Sequence, residues 1–150
     1  LQSTYINMGE SFMSDPQNLP QTTLDWLRYA EGDLRVAEGN LESESPSFHT
    51  ICFLCQGSAE KFLKAYLISK GWELEKTHDV LKLLDYCLAY DSSFKELVSS
   101  GEIVNEYIVA GRYPGILKQS DITKEDAEEA IQATRKIREY VAKLIAKDKD

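Results

Sequence analysis

Glu60 and Lys64 stand one helical turn apart, with Lys61 between them, in the segment CQGSAEKFLKAYLISKG. A carboxylate and an ammonium at that spacing meet on a helix surface. Turned on a ligand, a lysine holds a phosphate while the glutamate positions it or a neighbouring base. Turned on each other, they form an ordinary ion pair of a solvated face, worth roughly a few tenths of a kcal/mol. Thr77-His78-Asp79 follows closely. Its imidazole titrates near neutrality and can serve as acid, base or ligand donor, whereas Thr77 and Asp79 are residue types that cap helices. Arg112-Tyr113 sets a guanidinium beside an aromatic ring, which suits phosphate contact with base stacking and equally suits binding of free helix carbonyls. Cys52-x-x-Cys55, three residues after His49, lacks the second ligand pair that zinc commonly takes. Cysteines on a buried helix face behave mainly as small apolar residues. Neither a phosphate-cradling glycine loop nor a carboxylate cluster for a metal centre occurs, so no metal site and no cofactor are expected.

The elements that would carry these residues read as helices. Phe48, Cys52, Cys55, Ala59, Phe62 and Tyr66 recur at steps of four and three, the spacing of one buried helix face. Ser45-Pro46 reads as the entry to that helix and Gly71 as its stop. Before it, Trp26, Ala30, Leu34, Ala37 and Leu41 form the stripe of a helix starting at Thr22 or Thr23, with Asp25, Arg28, Glu31, Asp33 and Arg35 on its wet faces. The short link between the two predicts an antiparallel return. A third helix is expected to start near Asp79, with Val80, Leu81, Leu84, Cys87 and Leu88 inward. A fourth should span Phe94 to Ala110, weakened or bent at Gly101. Gly111 to Gly115, holding Pro114, cannot be helix interior. Thr123 and Asp126 are arranged to cap a last helix that runs to about Ala146. Period-two alternation is nowhere sustained. The expected fold is all-α, an antiparallel bundle of about five helices.

One hundred and fifty residues suggest one domain, with apolar residues at 43% and charged ones at 28%. The expected organisation is a flexible segment over residues 1–20, a helical bundle over 21–147 and a frayed tail over 148–150. The chain begins with Leu1, and Met8 or Met13 could be the natural start, so residues 1–7 are left out of the fold reasoning. A net charge of −8 repels phosphate backbones, which disfavours general nucleic-acid binding. No run of about 18 apolar residues suggests a membrane span. Three cysteines without a secretion signal suggest a reduced, cytoplasmic protein.

Four pieces in order carry a resemblance: WLRYAEGDLRVAE, CQGSAEKFLKAYLISKG, THDVLKLL, and RYPG before EDAEEAIQATRKIREYV. Together, over about Leu24 to Leu144, the chain resembles the HEPN domain, and in particular its small stand-alone prokaryotic members. The resemblance implies a bundle of about five helices with a four-helix up-and-down core, often homodimeric. It also implies pairing with a small nucleotidyltransferase in toxin–antitoxin-like modules. Many relatives are metal-independent ribonucleases whose motif is Arg, four to six variable residues, then His. Here the only histidines are His49 and His78, with no arginine at that spacing before either. The reading is therefore a non-catalytic module that binds a nucleotide, another polar small molecule or a nucleotidyltransferase partner through Glu60, Lys61, Lys64, His78, Asp79, Arg112 and Tyr113. The alternatives are a divergent ribonuclease using His78 and Arg112, and a purely structural dimeric bundle. Spare apolar residues such as Trp72, Tyr86, Tyr90 and Ile116 would supply a dimer face.

Overall fold

The computed structural model describes residues 19–108 and 121–148. Five α-helices form among the described residues: α1 (Gln21–Leu41), α2 (Phe48–Ser69), α3 (Val80–Tyr90), α4 (Val98–Asn105) and α5 (Lys124–Asp148). Short 3-10 turns at Ser92–Leu97 and Glu106–Ile108 flank α4. No strand occurs among the described residues. The all-α bundle expected from the periodicity is what forms.

The central element is α2. It packs against α1, α3, α4 and α5, and Ile51, Cys52, Cys55, Ala59, Phe62, Leu63 and Leu67 along it are fully buried. The link from α1 is short, and α2 returns antiparallel to it, Asn40 meeting Ser47 at one end and Trp26 meeting Lys64 further along. That link also moves the start of α2. Asn40 Oδ1 accepts the Ser47 amide at 2.8 Å, and the Ser47 carbonyl accepts the Ile51 amide at 3.0 Å. The helix therefore begins after Ser47 and leaves Pro46 outside, two residues later than the Ser45-Pro46 entry expected. At the far end Gly71 takes a φ of 87°, a left-handed turn that glycine adopts without strain.

Three further expectations change. α1 starts at Gln21 behind Pro20 with no side-chain cap, and Thr23 is buried rather than capping. On α3 the buried residues are Val80, Leu83, Leu84 and Cys87, with Leu81 and Leu88 only partly covered. α4 runs unbroken through Gly101 and is shorter than expected, a 3-10 turn taking Ser92–Leu97. A Cβ there would lie 2.5 Å from Leu84 Cδ1, so glycine is what lets α4 lie close on α3.

Two caps form as the sequence suggests. Thr123 Oγ1 accepts the Asp126 amide while Asp126 Oδ2 accepts the Thr123 amide, a reciprocal capping box at the start of α5. Asp79 Oδ1 accepts the amides of Leu81 and Lys82 at 3.0 and 3.2 Å, and Asn105 Nδ2 donates to the same oxygen at 3.2 Å. Asn105 Oδ1 accepts the Val80 amide in turn, tying α3 to the end of α4. Asp79→Ala should therefore cost about 1–2 kcal/mol in denaturant unfolding, the loss of a cap with its tie to Asn105. An unchanged midpoint would mean that the cap contributes nothing to this helix start.

Trp72 and Tyr86, expected as spare apolar residues for a dimer face, make contacts within the chain. Their rings lie 5.8 Å apart against the core, and the Tyr86 hydroxyl donates to Glu75 at 3.1 Å. Tyr90 is exposed, and Ile116 lies outside the described residues. No helix among the described residues is long and apolar enough to cross a membrane.

Candidate functional site

Gln56, Glu60 and Lys64 succeed one another by four residues along α2 and are all buried. This row is a polar spine, not the solvated face that the bland reading of the sequence supposes. Lys64 Nζ donates to Glu60 Oε2 at 2.8 Å and lies 5.4 Å from the centroid of the Trp26 ring on α1, a cation–π distance. Glu60 Oε1 meets His78 Nδ1 at 3.0 Å and accepts from Gln56 Nε2 at 3.4 Å. Gln56 Nε2 also donates to the His78 backbone carbonyl at 2.7 Å. The segment before α3 is thus clamped onto α2 by both the backbone and the side chain of His78.

The electrostatic consequence follows from the inventory of donors. A carboxylate only accepts, so His78 Nδ1 carries the proton and Nε2 is the ring's remaining nitrogen. The His78 side chain is about half exposed, at 51%, against 7% for Glu60 and 4% for Lys64. The ammonium is enclosed by a carboxylate and an indole, whereas the imidazole is held in place and partly open. Of the residues singled out from sequence, this arrangement joins Glu60, Lys64 and His78. Lys61 turns elsewhere and pairs with Asp33 of α1. Gly57 leaves room for that pair, since a Cβ there would sit 3.2 Å from Asp33 Oδ2. The Asp79 carboxylate is taken up by the α3 cap. Arg112 and Tyr113 lie outside the described residues.

Trp26 and Gln56 belong to the cluster but were not among the site residues expected. Trp26 reads in sequence as one more stripe residue of α1. Gln56 could have been found from its spacing, since 56, 60 and 64 form a single polar row through an apolar helix. The Gln56 side-chain carbonyl is buried and makes no hydrogen bond.

No group of three His, Cys, Asp or Glu residues suited to a metal occurs among the described residues. Cys52, Cys55 and Cys87 are free thiols and fully buried. Burial pushes the Cys52 and Cys55 thiols up to about 12, partly offset by hydrogen bonding with Tyr107 and Thr134 respectively, and raises Cys87 as well. Thiolate is the reactive form. Native protein at pH 8 should accordingly stay unlabelled by a chromogenic disulfide reagent on the timescale on which denatured protein reacts fully. Rapid labelling of the folded chain would show that α2, which carries Cys52 and Cys55, or α3, which carries Cys87, opens locally.

A model of the HEPN domain matches residues 23–145. A search of curated proteins finds no match. Among solved structures the chain is similar to TT1696 from Thermus thermophilus, with a TM-score of 0.68 and 29% identity over 79% of this chain and 94% of that one. It is also similar to ST0689, an archaeal HEPN homologue, with a TM-score of 0.67 and 25% identity over 82% of this chain and 97% of that one. The matched region runs from the buried start of α1 to near the end of α5 and takes in the whole Gln56–Glu60–Lys64–His78 cluster, and over that span the chain belongs to the HEPN domain family.

Proposed function

We propose that this HEPN chain is a cytoplasmic binding module that holds a nucleotide at the His78 edge of the Glu60–Lys64 cluster, within a toxin–antitoxin-like pair. The observation that carries the reading is the clamped, half-exposed imidazole of His78 beside the Lys64–Trp26 pair. An imidazole already fixed by a buried carboxylate loses little conformational freedom when it meets a phosphate. Glu60 neutralises Lys64, so the cluster tolerates the approach of an anion when His78 is protonated. The overall charge of −8 favours a small ligand over a long RNA backbone. The absence of the Arg-to-His ribonuclease spacing fits binding without hydrolysis.

The test is a thermal-shift screen of the purified chain against nucleotides, nucleosides and short RNAs, with His78→Ala alongside. A ligand that binds only the folded state raises the melting temperature with dose. The expected result is such a rise for a nucleotide, lost in His78→Ala. A flat screen with well-folded protein overturns nucleotide binding and points to direct docking of a nucleotidyltransferase. Metal-independent RNA cleavage abolished by His78→Ala would replace the binding role with a ribonuclease.

A further inference from the structure

The two histidines of the chain are held in opposite ways. His49, in the first turn of α2, has both ring nitrogens engaged. Its Nδ1 lies 3.1 Å from Ser47 Oγ and its Nε2 3.4 Å from Thr50 Oγ1. His78 uses only one. Its Nδ1 meets Glu60 Oε1 at 3.0 Å, and among the described residues its Nε2 has no hydrogen bond. The bond made by one ring nitrogen decides what the other can do. Glu60 only accepts, so the neutral ring keeps its proton on Nδ1 and its lone pair on Nε2. The ring is not free to reverse that arrangement. The His78 carbonyl is tied to Gln56 Nε2 at 2.7 Å, and Lys64 holds the second oxygen of Glu60 at 2.8 Å. The side chain is 51% exposed, with Nδ1 turned to a carboxylate that is 7% exposed, so Nε2 is the outward end. A carboxylate on Nδ1 raises the basicity of an imidazole and steadies the cation formed when Nε2 takes an electrophile. This is the arrangement of an activated nitrogen nucleophile.

We propose that His78 Nε2 is a phosphoryl acceptor, a modification site that takes its phosphoryl group from a donor of the phosphoramidate class. The Nε2 lone pair attacks phosphorus and a new P–N bond forms. The donor's own P–N bond breaks, and its nitrogen leaves as a neutral amine with the electron pair. The bond formed and the bond broken are of one kind, so the transfer is close to balanced. The Nδ1 proton stays on the ring, where Glu60 offsets the imidazolium charge. Lys64 already neutralises Glu60, so the incoming anion does not meet a bare carboxylate. The acceptor role stands apart from nucleotide binding, and only its consequence rests on that reading. A phosphorylated ring adds negative charge at the edge where the nucleotide docks, so modification closes the site to it.

The test is labelling of the whole folded chain with potassium phosphoramidate, mapped by mass spectrometry in alkaline solution, which preserves P–N bonds. His78 should acquire the phosphoryl group well before His49, and denaturant should abolish the difference. The rate at His78 should be roughly tenfold higher in the folded chain than in the denatured one, an acceleration that exposure alone cannot give. His78→Ala should remove the early, acid-labile label, and His49→Ala should leave it unchanged. The double variant Glu60→Gln/Lys64→Met removes both buried charges together, so neither is left unpaired. Its His78 should lose the acceleration. If that variant does not fold, the comparison of folded with denatured wild type still decides. Equal rates in those two states overturn the proposal, as does faster labelling of His49. So does a folded double variant that reacts at the wild-type rate. Nucleotide-dependent thermal shifts in a chain whose His78 shows no acceleration would end the acceptor role and leave nucleotide binding standing. Accelerated labelling with a flat nucleotide screen would do the reverse.

Discussion

Replacing Lys64 with alanine is expected to destabilise the fold by about 3–5 kcal/mol, the cost of removing one partner of a buried ion pair. For a chain of this length each kcal/mol lowers the melting temperature by about 2–4 °C, so the drop should be plain in a thermal melt. Lys64 Nζ is enclosed by Glu60 at 2.8 Å and the Trp26 ring. Its loss leaves the Glu60 carboxylate buried at 7% exposure, with His78 and Gln56 as its remaining donors. The damage should come mainly from that uncompensated charge. Lys64→Met with Glu60→Gln keeps the volume and removes both charges, and it should recover most of the stability. If the double variant is as unstable as Lys64→Ala, the charged contacts themselves, the Lys64–Glu60 pair and the ammonium over Trp26, are the larger contribution. This outcome separates two roles that the sequence runs together. Lys64 belongs to the frame, and a loss of ligand binding in Lys64→Ala would report a weakened frame. His78→Ala is the cleaner probe, because a half-exposed ring can leave without burying a charge.

What the sequence made legible was local. The i, i+4 spacing of Glu60 and Lys64, the stop at Gly71, and the caps at Asp79 and Thr123 are all decided within one or two turns of chain. The direction in which the polar row of α2 faces was not legible. Charged residues at helical spacing ordinarily face water. Here Trp26 and the segment before α3 close over them, which depends on contacts between residues far apart in the chain. The Lys61–Asp33 pair is long-range in the same way, as is the bond of Gln56 to the His78 carbonyl. Glu31 and Glu38 were equally hidden. Glu31 reads as part of a wet face of α1, yet α5 covers it and sets Arg138 and Arg135 opposite the two carboxylates. The two glutamates stand two turns apart on α1 and the two arginines about one turn apart on α5, so neither spacing announces the pairing until the helices are known to be neighbours.

Glu31 carries the second large expectation, a dependence of stability on pH. Burial raises its carboxyl from 4.5 to about 7, the dominant influence; Arg138 at 3.8 Å and Arg35 oppose the rise and Glu38 adds to it. Both Glu31 oxygens are buried without a hydrogen bond, so the ion has lost its hydration and gained only a distant cation. Glu38 offers no relief, since it is itself held by Arg135 Nε at 2.6 Å. Below about pH 4.5 the carboxyl is neutral in folded and unfolded chains alike. Between about 4.5 and 7 the unfolded chain releases the proton while the folded chain keeps it, so this group's contribution to stability falls as pH rises. It levels off above about 7, having removed about 3 kcal/mol by then. Other carboxylates titrate over the low end of that range, which makes the informative quantity the difference between wild type and Glu31→Gln. The variant mimics the neutral acid at every pH. It should match wild type near pH 4 and exceed it by a few kcal/mol near pH 8, about 3 on the linkage figure above, when denaturant midpoints are compared at both values. A variant less stable than wild type at pH 8 would mean that the Glu31 ion stabilises Arg138 by more than its own burial costs, and that the α1–α5 contact is held by charge.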